Sequence, residues 1–393
     1  MKVAFIGQKG IPTLQGGVER HVEELSVRLA SRGIEAIAYT RPQYVDEKLK
    51  KYKGVSLISL PTIASKHLDA LAHTFLACLD VRKHKVDVIH FHSIGPSLLI
   101  WLAKILNPRT PIVATFHSQC YRHKKWGSFA TVSLKLGEAS CCLMSDHLIV
   151  ISRNLKKIVL KKYRISGEYI PNGVPEYKKI ELKNAGKWGI KENDFFLSVG
   201  RLVESKGVHY LIEAFNRLKT DKKLVIAGDE LHPDGYEKML RKMAAKNPNI
   251  IFTGNLDGNS RELAELFSNA YLFVQPSEIE GLSIALLEAM SYETATLVSD
   301  IPENLEAIAN AGFSFENRNV DDLTEQLKML LDNPKEVYEK AKEGKERVSK
   351  CYSWDVISKG VLDVYKKAKE EHLGYGKFFP RIKYAKRVLK KFL

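Results

Sequence analysis

Residues 270–295 read AYLFVQPSEIEGLSIALLEAMSYETA, and the order of elements in this stretch decides the fold. Tyr271–Gln275 is a short apolar run of strand type, ended by Pro276 and Ser277. A loop with Glu278, Glu280 and Gly281 follows, and from Ser283 the pattern is that of a buried helix. Strand, loop and helix N-terminus, in that order, is where open α/β sheets hold their ligands. Ser283 has the side chain of an N-cap, and the backbone N–H groups just beyond it stand free at the positive end of the helix. An end of that kind suits a phosphate.

The same unit recurs outward from this stretch. Upstream and downstream lie FFLSVG (195–200), KLVIAG (223–228), NIIFTG (249–254) and ATLVSD (295–300), three of them ending in glycine. Nearer the N-terminus, strand-type runs are KVAFIG (2–7), Ile34–Thr40, Val55–Ser59, Val86–His92, Ile112–Phe116 and His147–Ile151. Helical segments fall between them, near Lys66–Lys83, Pro96–Leu106, Gly127–Met144 and Arg153–Tyr163. Such alternation means a parallel, doubly wound sheet. Glu168–Val174 closes the first half, and Lys-rich Pro175–Glu192, with Gly186 and Gly189, reads as a linker before the pattern restarts. The length of 393 residues is comfortable for two such domains.

Composition narrows the class. No run approaches the roughly 18 apolar residues of a spanning helix, and MKVAFIG is already a core strand rather than a signal peptide, so a cytoplasmic location is expected. Five cysteines without C-x-x-C spacing suggest neither a disulfide framework nor a zinc site. The net charge of +15 points to nucleic acid, an anionic membrane or phosphorylated substrates. Nucleic acid would need bases stacked on aromatic platforms, and no such module is visible. The charge gathers in Arg122–Lys125, in Arg153–Arg164 and in the tail GYGKFFPRIKYAKRVLKKFL (374–393). In the tail, Phe378, Ile382, Ala385, Leu389 and Phe392 fall at helical spacing, which reads as an interfacial helix on an anionic leaflet.

Three groups of residues carry candidate chemistry. Glu280 and Glu288 frame the opening stretch with seven residues between them; a carboxylate on so apolar a helix needs partners, and sugar hydroxyls would serve. GRLVESKG (200–207) joins a strand to a helix, so Arg201 and Lys206 flank a loop where fixed cations would meet an anion. Gly16 and Gly17 open the first helix and allow close backbone approach, although the loop lacks the G-x-G-x-x-G dinucleotide fingerprint. His117 ends its strand at the edge where a site belongs. His90 and His92 share one strand face and with His117 imitate a three-His metal site, local packing being the preferred reading. No D-x-D occurs in the chain, so a metal-bridged diphosphate has no visible ligands.

The run P-S-E-I-E-G-L-S-I-A-L-L-E-A-M resembles the E-x7-E signature of retaining, GT-B-type glycosyltransferases such as glycosyltransferase family 4, and GRLVESKG resembles that family's G-R-L-x-x-x-K-G pattern. The resemblance runs to about Glu371. It implies an α/β GT-B fold, two Rossmann-like doubly wound parallel-sheet domains facing a central cleft, at 1–174 and 193–352. A linker at 175–192, a helix at 353–372 crossing back to the first domain and a basic amphipathic tail at 373–393 complete the expected plan. It also implies a nucleotide diphosphate sugar as donor and no cofactor or metal. Transfer would retain anomeric configuration, onto a hydroxyl of a membrane glycolipid or polyprenyl-linked glycan at the inner face of the membrane. Arg201 and Lys206 would hold the leaving diphosphate, Glu288 the ribose, and Glu280 with the Gly281, Leu282 and Ser283 backbone the donor sugar. His117 would face that sugar, and Gly16 and Gly17 would lie beside the donor phosphates or the acceptor. Glu19 and Asn172-Gly173 resemble family positions near the acceptor side and the hinge. The alternatives are a nucleotide-sugar epimerase of the same shape and a non-catalytic nucleotide-sugar-binding protein.

Overall fold

The computed structural model describes residues 1–13, 16–63, 68–122, 127–229 and 235–374. The basic tail beyond residue 374, three of the four residues of Arg122–Lys125 and the expected start of the helix near Lys66 lie outside the described residues. The chain forms two compact units, one from Met1 to Asn172 joined by the segment from Trp354 onward, the other from Gly173 to Ser353.

In the first unit the strands are β1 (Lys2–Ile6), β2 (Glu35–Thr40), β3 (Lys51–Tyr52), β4 (Val55–Ser59), β5 (Val88–His92), β6 (Ile112–Phe116), β7 (His147–Val150) and β8 (Glu168–Tyr169). They lie in the order β3-β4-β2-β1-β5-β6-β7-β8, parallel except for the edge pair β3–β4. That edge hairpin was not legible: its strand is two residues long and polar, and its turn is made by Lys53 and Gly54, both at positive φ. The strand order reverses between β1 and β5, the crevice where doubly wound sheets bind ligands. EYIPNGV supplies only the two residues of β8, because Pro171 removes the next ladder donor.

The second unit holds β9 (Phe195–Val199), β10 (Lys223–Ala227), β11 (Ile250–Gly254), β12 (Leu272–Gln275), β13 (Thr296–Ser299) and β14 (Phe313–Phe315), ordered β11-β10-β9-β12-β13-β14 and wholly parallel. This is the 3-2-1-4-5-6 order of the dinucleotide-binding folds, with its switch point between β9 and β12. β14, three residues at the sheet edge, was not expected from the sequence.

Residues 175–192, expected as a linker, are part of the second unit. Tyr177 stacks on Tyr292 with centroids 4.3 Å apart, and buried Glu265 accepts hydrogen bonds from the backbone N–H groups of Lys183 and Ala185. A Lys-rich stretch looks solvated when only its own composition is read; its backbone donors, however, find acceptors on the helix Arg261–Asn269.

The C-terminal helix Trp354–Gly374 packs on the first unit. Its expected stripe of Trp354, Ile357, Val361, Val364 and Tyr365 is fully buried against the helix Gly17–Ser31 and the sheet. No described helix is long and apolar enough to cross a membrane.

Candidate active site

In the second unit both sequence motifs arrive at the switch point. β9 ends at Val199; Gly200 and Arg201 turn away from it, and a 3₁₀ turn at Glu204–Lys206 leads into the helix Val208–Arg217. β12 ends beside it at Gln275. The two loops are tied together, because the Glu278 N–H donates to the Ser205 carbonyl at 2.9 Å. Between them is a cavity lined by Gly200, Arg201, Lys206, Gln275, Pro276 and Ser277 among others.

Two residues that the sequence offered separately form one ion pair here. Lys206 Nζ lies 2.5 Å from Glu280 Oε1, with the lysine 23 % and the carboxylate 11 % exposed. Arg201 is exposed at the mouth of the same loop. Ser283 is the N-cap it was expected to be: its Oγ accepts from the Leu286 N–H, and the helix Ile284–Ser291 follows. Gly281 and Leu282 are buried between Glu280 and that cap. Glu288 stands one turn into the helix and is half-buried rather than enclosed, so solvent shares its charge with its partners.

A buried polar network, invisible in the sequence, fixes this loop. Ser283 Oγ donates to Gln275 Oε1 at 2.6 Å, Gln275 Nε2 donates to Asn304 Oδ1 at 2.8 Å, and Ser299 Oγ donates to the Ser277 carbonyl at 2.5 Å. Glu278 is committed to structure, accepting from Tyr210 and Arg318 at 2.8 and 2.6 Å. These bonds join residues 8 to 68 positions apart on several elements, and no local motif announces them.

In the first unit, Gly16 caps the helix Gly17–Ser31 at φ 107°, with the Glu19 carboxylate folded over it; a Cβ there would sit 2.1 Å from Glu19 Oε2. Glu19 also accepts from the Lys9 N–H at 3.1 Å, so it braces the β1 loop. Gly17 is exposed. His117 is buried at the end of β6 within a cluster of imidazoles. Its Nε2 is 3.1 Å from His92 Nδ1, and the His21 ring meets it edge-on at 5.0 Å. Nitrogens of His21, His92 and His117 all lie within 4.8 Å of one another. His90, for which local packing was the preferred reading, is fastened to the Tyr365 hydroxyl at 2.6 Å and the Thr115 hydroxyl at 2.7 Å. His21 replaces it, and its position among Val18, Val22 and Leu25 on the buried helix face was the available signal.

Burial keeps these rings neutral. Desolvation holds His90, His92 and His117 well below the ordinary imidazole range. It lowers His21 to about 4 against the opposing bond from Asn172, and lowers His73 likewise to about 4. The unfolded chain takes up protons below about pH 6.5 that these folded rings refuse, so stability is complete above that pH and declines toward pH 4. His21 and His73 alone account for about 3 kcal/mol of loss between pH 6.5 and 5. Urea denaturation across that range should show it; a flat stability profile would mean that the rings are protonated in the fold.

Two doubly wound units with their candidate residues at the sheet switch points define a two-domain α/β architecture of nucleotide-binding type. The chain belongs to the GT-B-type glycosyltransferases: residues 15–176 match the family described as Glycosyltransferase Family 4, and residues 181–348 match Glycosyl transferases group 1. It is 27 % identical over 403 aligned residues to a glycogen synthase of Mycobacterium tuberculosis, covering 94 % of this chain and 95 % of that one. Over 272 residues it is 29 % identical to an Escherichia coli UDP-Gal:alpha-D-GlcNAc-diphosphoundecaprenol alpha-1,3-galactosyltransferase, covering 64 % and 68 % of the two chains. The fold matches that of HepE from Anabaena, solved in complex with UDP-glucose, with a TM-score of 0.78 at 16 % identity over 93 % of this chain and all of that one.

Proposed function

We propose that this glycosyltransferase moves a sugar from a nucleotide diphosphate sugar to an acceptor hydroxyl, with retention at the anomeric carbon and with cations of the chain, rather than a metal, on the diphosphate. The Lys206–Glu280 pair at the β9–β12 switch point carries the reading. Glycosyl transfer builds positive charge on the anomeric carbon and negative charge on the departing diphosphate, and the pair supplies one fixed charge of each sign for them. Arg201 joins Lys206 on the diphosphate, Glu280 and the backbone at Gly281–Ser283 hold the sugar, and Glu288 takes the ribose. The backbone at Gly16 and Gly17 approaches the donor phosphates or the acceptor. His117, a neutral ring, orients the sugar. The acceptor oxygen bonds to the anomeric carbon on the face the diphosphate leaves, and the hydroxyl proton passes to the departing phosphate oxygen.

The acceptor we infer is a membrane-bound glycolipid or polyprenyl-linked glycan, used at the inner face of the membrane with the basic tail on anionic lipid. The diphosphoundecaprenol relative supports this acceptor class, and the UDP-glucose bound to HepE is of the donor class proposed. A thermal-shift panel of UDP-, GDP-, dTDP- and ADP-sugars with EDTA present tests the donor. The correct nucleotide at about a hundredfold over its Kd should raise Tm by about 5 °C or more. Failure of every nucleotide to shift the transition would remove the donor-site assignment.

A further inference from the structure

One face of the first unit is apolar, basic and unused by the chemistry above. Among the described residues, ten of the fourteen exposed large hydrophobics fall between Ile63 and Leu160. They form stripes: Leu68, Phe75 and Leu79 along the helix Asp69–Asp80, Trp101 and Ile105 on Ile100–Leu106, and Phe129, Val132 and Leu136 on Ser128–Met144. Each spacing is that of one helix face, and the three helices touch in series. Phe129 is 85 % exposed. Soluble surfaces rarely leave so large an apolar set together without an occupant.

The charge around these stripes is mainly positive, and the two acids of the first helix are paired, Asp69 with Arg41 and Asp80 with Lys83 and His84. Between residues 88 and 167 the sequence has twelve Lys and Arg against two acids, which places ten of the chain's fifteen net positive charges there. Neither acid faces solvent freely. Glu138 is fully buried under hydrogen bonds from Lys162, Tyr163 and Tyr121, and Asp146 is paired to Lys104 at 2.6 Å. The neighbouring helix Arg153–Tyr163 turns Arg153, Lys157 and Lys161 outward beside exposed Leu160.

We infer that this face docks on an anionic lipid surface, with the apolar stripes entering the headgroup–acyl boundary and the basic side chains meeting lipid phosphates. Hydrophobic insertion and electrostatic attraction to anionic headgroups each supply part of such binding. A second copy is the poorer occupant, because a two-fold contact would set this basic face against itself. The inference deepens the membrane-acceptor reading above, yet rests only on side-chain exposure and charge, so vesicles without donor or acceptor test it separately.

The full chain should float with vesicles of phosphatidylcholine and phosphatidylglycerol, and much less with phosphatidylcholine alone. F129S/V132S and W101Q/I105Q, which exchange exposed side chains and should keep the wild-type Tm, should each weaken that binding at least tenfold. R153E/K157E should weaken the preference for anionic lipid. The donor-induced thermal shift should be unchanged in all three. Wild-type flotation by the two apolar variants would assign membrane binding to the C-terminal tail and overturn the docking face. Absence of vesicle binding would also overturn the docking face, as would a wild-type dimer that F129S/V132S dissolves while flotation persists.

Discussion

Lys206→Ala is expected to lower kcat by about 10²–10³-fold while changing the Kd of the nucleoside diphosphate product by less than about tenfold. One preorganised donor aimed at developing charge is worth that much in rate. The diphosphate keeps Arg201 and the backbone of the β12 loop, so binding suffers less than catalysis. The fold should hardly notice, because an ion pair with a 23 % exposed lysine contributes about 1 kcal/mol or less. Lys206→Arg, which keeps the charge with a different head, should recover part of the rate, and Glu280→Gln should lower kcat with the diphosphate affinity kept. Steady-state kinetics beside calorimetry of the diphosphate separates these terms. Equal losses in kcat and in diphosphate affinity would make Lys206 a binding residue, not a stabiliser of the leaving group.

The second large effect is on folding. Gly228 follows β10 at φ 152°, and a Cβ there would lie 1.9 Å from the Gly200 carbonyl oxygen. That obstacle is backbone of the Arg201 loop, itself held by the Gly200 N–H bond to the Ala227 carbonyl and the Leu202 N–H bond to the Asp229 carbonyl, both 3.0 Å. Gly228→Ala is therefore expected to cost about 3 kcal/mol or more, a fall in Tm of about 6–12 °C for a unit of this size. Gly254→Ala is the control. It also ends a strand at positive φ, but nothing lies within 4 Å of its added carbon, so it should cost only about 1 kcal/mol. Similar losses in the two variants would show that conformation, not the clash, accounts for the effect. Because the loop must move to admit the methyl group, Gly228→Ala should also lower kcat at temperatures where it remains folded.

Strands and helices of the second unit were legible because a parallel sheet covered on both faces is written as continuous apolar runs, and FFLSV, KLVIA and LFVQ need no context. β3 and β14, at the edges, lack that signature. The helix splits differently from its reading: Pro96–Leu106 divides into Ile94–Ser97 and Ile100–Leu106. The segment 175–192 was misjudged for a related reason, since its fixing contacts are made by backbone N–H groups, which every sequence supplies alike.

By itself, the sequence determined two doubly wound units, the Ser283 cap and the apolar stripe of Trp354–Gly374, since periodicity and capping depend on neighbours along the chain. Tertiary structure alone decided the rest. Lys206 and Glu280 are 74 positions apart and meet only because β9 and β12 are neighbours in the sheet. Likewise, His21 joins His92 and His117 only where a helix face closes on two strand ends, and the exposed stripes of three helices become one surface only by packing side by side. Proximity across a sheet follows from strand order and register, set by the burial of the whole core, so no local stretch of sequence encodes it.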